Sequence, residues 1–243
     1  MSRLLKALSL TLAIATLNLI TTSCSSGYGG AQIRMVNAIP DSPPVDIYVN
    51  GSKVFTNLSF GAAQPNTTPA RYLSVGTGTA TFQGYATGNI TNPISPEGMV
   101  SFVGSTQYTV IAVGLELNNA APIAFADNNT VPTADNVEYR IINVSPSSPA
   151  AGLDVYFVPP GTDITTYTPQ VTVLGNGQAS QYQSLPALNG GYAIIVTAHL
   201  SKTQLITQLS TAPAESITTM VILDNPGGSN GMSTAPLILN DLE

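Results

Sequence analysis

The sequence predicts an all-β protein: two tandem Greek-key β-sandwich domains behind an N-terminal signal helix. Three observations carry this. Short β-branched runs alternate with Gly, Pro and Asn turns; a block of about 100 residues recurs once; and no segment beyond Cys24 sustains a 3.6-residue apolar period with capping residues. At 243 residues the chain is long for a single sandwich and suits two domains of about 100 residues each. The hydrophobic fraction of 43% allows each a core, while the charged fraction of 8% is about a third of the usual share. Ser, Thr, Asn and Gln, with 21 Gly and 18 Pro, fill the polar quota and suit exposed strand faces and tight turns.

The first element is an export leader. Arg3 and Lys6 form a basic region, and Ala7 to Ile20 is an apolar run broken only by Ser9, Thr11, Thr16 and Asn18. Behind it stands Thr21-Thr22-Ser23-Cys24, with the sole cysteine of the chain. This resembles a bacterial lipobox, although Thr21 occupies the place where leucine is typical. The resemblance implies a signal peptide over 1–23 and a lipid-bearing Cys24 as the mature N-terminus. Ordinary secretory cleavage near Ser23 and a retained helix are the alternatives; for the latter the apolar stretch is short. With no second cysteine there is no intramolecular disulfide, and packing must supply the stability.

Residues 24–31 read as a tether, 32–126 as the first sandwich, 127–137 as a linker and 138–243 as the second. In the first, strands are expected over 33–37, 45–49, 53–58, 70–75, 79–85, 108–115 and 123–126. Asn50-Gly51 is the strongest turn, since both residues tolerate positive φ in a two-residue hairpin. In Val45-Asp46-Ile47-Tyr48-Val49 the aliphatic residues share one face and Asp46 and Tyr48 the other, which marks one face as core and the other as wet. Ile33 to Pro43 returns as Tyr139 to Pro149 at an offset of 106, and Val45 to Val49 as Leu153 to Phe157 at 108. Tyr108 to Gly114 is echoed by Ile217 to Asp224, and Ala121 to Phe125 by Ala235 to Leu239. Four echoes in one order mean duplication of a domain. The second copy adds a long β-branched run over 192–198. A short polar linker containing Pro132 predicts two domains set end to end.

About seven short strands per copy resemble immunoglobulin domains, without their disulfide or tryptophan. The stretch from Arg34 to Gly51, with Phe60-Gly61-Ala62-Ala63 and Asp127-Asn128-Asn129-Thr130, resembles the bacterial domain-of-unknown-function family 4397. The resemblance covers both copies and is stronger in the first; in the second, Ser147 replaces the turn acid and Pro159-Pro160-Gly161 stands where Asn50-Gly51 stood. It implies a sandwich domain on exported, often lipid-anchored envelope proteins, and no known reaction.

Catalytic and metal chemistry are sparsely provided for. The one histidine, His199, closes the 192–198 run and reads as a strand-end residue, and one His with a lipid-bound Cys cannot make a zinc site. Gly76-Thr77-Gly78 and Gly227 to Gly231 lack the Lys and helix start of a phosphate loop. Arg34 and Arg140 occupy matching places, as do Asp46 and Asp154; each pair is expected to meet across neighbouring strands or to tie down the Pro-rich turn. A calcium site from Asp127, Asp135, Glu138 and Asp241 is the functional alternative for the junction acids. Tyr48 and Tyr156, beside Asp46 and Asp154, offer a sugar-stacking patch in both copies, against an ordinary outer-face role.

From Cys24 onward Arg34, Lys53, Arg71, Arg140 and Lys202 stand scattered against 13 acids, a net charge of −8, which argues against nucleic acid. The expectation is therefore a non-enzymatic envelope protein that needs no cofactor. It is held to a membrane by its lipid, in the outer membrane of a Gram-negative bacterium, and presents two sandwiches as a structural, adhesion or assembly surface. A binding module for polysaccharide or a partner envelope protein is the alternative.

Overall fold

The computed structural model describes residues 29–65, 71–116, 118–228 and 231–242. The leader and Cys24 lie outside them. Among the described residues the chain is all strand and turn, with two short 3-10 turns at Ile164–Thr166 and Pro226–Gly228 and no α-helix.

The first half builds two sheets. One contains β1 (Ala31–Asn37), β4 (Ala63–Gln64), β5 (Leu73–Val75), β8 (Gln107–Leu115) and β9 (Asn118–Ala126), in the order β4-β1-β8-β9 with β5 beside β4 on β1. The other contains β2 (Val45–Val49), β3 (Ser52–Leu58), β6 (Gly78–Ala86) and β7 (Gly98–Phe102), in the order β3-β2-β6-β7. Asn50 and Gly51 join β2 to β3 with φ of 50° and 76°, as expected for a two-residue hairpin. The Asn50 side chain also accepts the Thr81 N–H at 2.9 Å, which docks the turn on β6.

The second half repeats this plan. Strands β10 (Asn136–Asn143), β13 (Gln178–Ala179), β14 (Gln183–Pro186), β17 (Ile217–Ile222) and β18 (Leu237–Asn240) form one sheet, in the order β13-β10-β17-β18 with β14 also on β10. Strands β11 (Leu153–Val158), β12 (Val171–Leu174), β15 (Tyr192–Ala198) and β16 (Gln204–Ser210) form the other, in the order β12-β11-β15-β16.

Several boundaries differ from the sequence expectation. β4 and β7 are additional strands, β9 begins at Asn118 instead of Ile123, and β10 starts at Asn136, inside the expected linker. The sheet centres also differ: β1 pairs with β8, and β10 with β17, in parallel. A parallel pair needs a long connection, supplied here by excursions through the opposite sheet in place of a helix.

Each half closes a core between its two sheets. Ile33, Met35, Val45, Ile47, Phe82 and Val110 lie in the first, and Tyr139, Ile141, Val155, Phe157, Ile194 and Met220 in the second. A third core joins them. Val36, Ala38 and Ile111 on the outer face of the β1/β8 sheet pack with Ile142, Val144, Val221, Leu223 and Leu239 on the corresponding sheet of the second half. The halves therefore pack sheet face on sheet face, and the expected end-to-end arrangement is corrected. The cause lies in the strands. The C-terminal ends of β1 and β10 are buried on both faces, so Val36 and Ile142 are covered as fully as Met35 and Ile141 are.

Candidate functional site

Strand alternation places Arg34 and Arg140 on the outer faces of β1 and β10, facing the third core, where their side chains are only 3% and 2% exposed. Such burial of a guanidinium demands compensation. Arg34 donates to Asp241 Oδ1 at 2.7 Å, Thr109 Oγ1 at 2.7 Å and the Asn240 carbonyl at 2.9 Å. Arg140 donates to Asp127 Oδ1, to Thr219 Oγ1 at 3.0 Å and to the Ala126 carbonyl at 2.9 Å.

The two sets are related by exchange of halves. Each arginine takes its nearest carboxylate from the opposite half, while Asp127 lies 3.6 Å from Arg34 and Asp241 3.5 Å from Arg140. Tyr72 lies under Arg34 at 5.1 Å and Tyr182 under Arg140 at 4.7 Å. The Tyr72 hydroxyl donates to Asp127 at 2.9 Å and that of Tyr182 to Asp241 at 2.7 Å. Burial first, and then the adjacent carboxylates, push both phenol pKa values up, which keeps them as donors. Burial alone would lower the pKa of each arginine; Asp241 and Tyr72 beside Arg34, and Asp127 and Asp241 beside Arg140, outweigh it and raise both. Two cations and two anions thus sit neutralised between the sheets.

This corrects one expectation and bears on one alternative. Arg34 does not meet Asp46, nor Arg140 Asp154, because the members of each pair lie in opposite sheets of their sandwich. Asp127 and Asp241 are also spent on guanidinium groups, and no three His, Cys, Asp or Glu side chains among the described residues gather as the proposed calcium site would require.

The Pro-rich turn is tied down instead by Asn37 and Asn143. Asn37 bonds Ser42 Oγ and the Leu58 carbonyl, both at 3.1 Å, and accepts the Ile39 N–H. Asn143 bonds Ser148 Oγ and the Leu174 carbonyl and accepts the Ser145 N–H. Their matched positions in the repeat were the available signal.

Asp46 and Asp154 are buried, at 3% and 2% exposure, so their outer faces are not simply wet. Asp46 accepts the N–H of Asn57 at 2.9 Å, and Asp154 those of Val173 at 3.2 Å and Leu200 at 3.0 Å. Asn57, Val173 and Leu200 all have positive φ, of 52°, 55° and 62°. Each carboxylate therefore secures backbone that L-residues rarely adopt. Burial raises the Asp46 pKa, but the Asn57 N–H, Lys53 and Thr87 outweigh it and the net shift is downward. Asp154 behaves alike: burial is outweighed by His199 and the Leu200 and Val173 N–H groups. His199 follows β15, with Nδ1 2.9 Å from Asp154.

Tyr48 and Tyr156 differ between the halves. Tyr48 is half-buried, and its ring meets that of Tyr85 edge to face at 5.2 Å and 74°. The pair borders a surface pocket of about 240 Å³ with Thr81, Gln83, Ile90 and Glu97. Tyr156 is 2% exposed, packed with Ile164 beneath the segment that joins β11 to β12. Lys202 lies 4.7 Å above its ring and donates to the Ile164 and Tyr167 carbonyls, clamping that segment. A sugar-stacking patch in both copies is thereby corrected to an open aromatic face in the first half alone.

Residues 31–156 match the family described as Domain of unknown function (DUF4397). The chain belongs to that family. The DUF4397 match runs through β9 into β10 and β11, and so takes in Arg34, Asp46, Tyr48, Asp127, Arg140, Asp154 and Tyr156, but not Asp241. No curated protein matches the chain. Among solved structures, one described as "Alpha-glucan binding by a streptococcal virulence factor" is 9% identical, with 84% of this chain and 96% of that one covered and a TM-score of 0.25. A putative cell adhesion protein from Bacteroides fragilis NCTC 9343 is 11% identical over 87% of this chain and 97% of that one, at a TM-score of 0.22. A leucine-rich repeat protein from Bacteroides thetaiotaomicron VPI-5482 is 17% identical over 80% of this chain and 26% of that one, at 0.17. TM-scores this low fix neither fold nor role.

Proposed function

We propose that this DUF4397 protein is a non-catalytic cell-envelope lipoprotein whose two sandwiches form one rigid body that presents its outward faces to the surroundings. The observation that carries the reading is the third core with its neutralised Arg34–Asp241 and Arg140–Asp127 pairs, which locks the halves face to face. A hinge between the halves would need that interface to open, and opening it strands buried charge. The body suits a spacer, adhesion or assembly role.

The finer readings belong to the same proposal. The second half is a diverged copy of the family domain, supported by the repeated sheet orders and by the matched roles of Arg34 and Arg140. The division into two domains goes with that reading, the first beginning at β1 and the second at β10. An immunoglobulin-like relationship is retained at the level of two packed sheets of short strands, with the parallel β1–β8 and β10–β17 pairs as its departures. Cys24 carries the lipid, and Ser25 after it suits transfer to the outer membrane of a Gram-negative cell.

Labelled palmitate supplied to cells expressing the full chain should enter the wild-type protein and not Cys24→Ala; equal labelling of both would defeat the anchor. Small-angle scattering of the purified mature protein should fit one fixed arrangement of the halves. A scattering curve that needs an ensemble of separated domains would defeat the rigid body, and turnover of a glycan or peptide would defeat the non-catalytic reading.

A further inference from the structure

We infer that the outer face of the β3-β2-β6-β7 sheet binds a neutral polysaccharide, with Tyr48 and Tyr85 as the stacking platform and Gln83 and Glu97 as the groups that read its hydroxyls. The inference rests on the reading above, in which outward faces do the work, and names the ligand class of one of them.

Register brings the groups together. Tyr48 on β2 lies opposite Gln83 on β6, with Thr81 and Tyr85 two residues to either side of Gln83 on the same face. The intervening Ala80, Phe82 and Gly84 point inward, with Ala80 and Phe82 in the first core. The Tyr85 hydroxyl donates to Gln83 Oε1 at 2.8 Å, which fixes the amide. Gln83 Nε2 and the Tyr48 hydroxyl have no hydrogen-bond partner among the described residues, so donors and an acceptor face the pocket ready for a ligand.

The second half shows what happens when this place is filled. There the corresponding tyrosine, Tyr156, lies beneath the chain's own segment between Val158 and Val171, fastened by Lys202. In the first half the same connection is only Asn50-Gly51, and the ring face is left open. One copy has thus closed over its aromatic face from within, while the other offers about 240 Å³ at the surface.

Charge and shape select the occupant. No Lys or Arg lines the pocket among the described residues, and Lys53, cross-strand from Tyr48, is paired with Asp46 at 3.3 Å, which leaves phosphate or an acidic polymer less to bind than a neutral sugar. The only charge in the lining is that of Glu97, and the only aliphatic side chain is Ile90, too little for an apolar peptide. An aromatic face flanked by an amide and a carboxylate fits a sugar ring, whose C–H face stacks while its hydroxyls both donate and accept.

The test is affinity electrophoresis of the full mature protein through gels containing soluble starch, a β-glucan, a mannan or polygalacturonate. At least one neutral polymer should retard the wild type, and Tyr48→Ala and Gln83→Ala should each weaken the retardation by about tenfold. Tyr167→Ala, on the segment that covers Tyr156, should leave it within about twofold. Gln83 lies on the surface, so its variant keeps the experiment decisive if Tyr48→Ala unfolds; thermal melting reports which has happened. Absence of retardation by every neutral polymer, retardation by polygalacturonate alone, or Gln83→Ala binding as wild type would overturn the site and leave the rigid body untouched. Cleavage of a bound neutral polymer would support the site and overturn the non-catalytic reading instead.

Discussion

Removing the Asp241 carboxylate, as Asp241→Ala, should destabilise the whole molecule and not its second half alone. The side chain has no exposure, and Oδ1 accepts Arg34 while Oδ2 accepts the hydroxyls of Tyr182 and Thr219. Truncation leaves Arg34 buried beside Thr109 and the Asn240 carbonyl, with its nearest anion Asp127 at 3.6 Å. Breaking a buried pair from one side costs about 3–5 kcal/mol, and those remaining partners place this case near the lower figure. For a unit of this size that is a fall in melting temperature of about 6–12 °C. Differential scanning calorimetry should show it as a shift of a single transition. A double-mutant cycle with Arg34→Met should return a coupling of at least about 1 kcal/mol between the halves. A cost below about 1 kcal/mol, or additive effects of the two substitutions, would refute the view that this pair joins the sandwiches.

Three other outcomes are expected. Ile142→Ala, at a residue with no exposure in the core between the sheets, should cost about 2–5 kcal/mol in urea unfolding, as a substitution within a single sandwich core would. The Asp154 carboxyl is held below its ordinary pKa, so its contribution is present above the unfolded value of about 3.9 and is lost as pH falls through the folded one. The stability difference between wild type and Asp154→Asn, followed by thermal melting, should therefore shrink as pH falls below about 4. Gly191→Ala should be destabilising by about 2 kcal/mol or more in chemical denaturation, since its φ is 68° and a Cβ would stand 2.1 Å from the Ser210 carbonyl oxygen.

Local pattern made much of the fold readable. Val45 to Val49 and Tyr192 to Ala198 are strands with the bounds expected, because alternation or β-branching and the flanking Asn-Gly or Gly-Gly turns agree there. Strands β4 and β7 are short or carry glycine and serine, and pattern alone does not mark them. Pairing between distant strands is a matter of topology, so the parallel β1–β8 ladder had no local signal. The face-to-face contact did leave one. Val110 to Val113 and Met220 to Leu223 are continuous apolar runs, the mark of strands covered on both sides, and Arg34 and Arg140 punctuate the partner strands. The matched arginines were visible as a pair, whereas their carboxylates, Asp127 and Asp241, lie where the sequence resembles polar connection. Tyr48 and Tyr156 looked equivalent because the longer connection after β11 gives no hint that it folds back over the ring.

Arg34 and Asp241 are separated by 206 intervening positions, and that distance has a consequence for biogenesis. A ribosome delivers the arginine long before the aspartate, so the early product can finish its own two layers yet still shows an oily sheet surface with a cation that awaits its counterion. Until then that nascent surface is the chain's vulnerable moment, open to the wrong neighbour. Only arrival of β18 and the aspartate that follows it shields the surface and satisfies the charge, so shortened translation products should be recognised as unfinished and degraded.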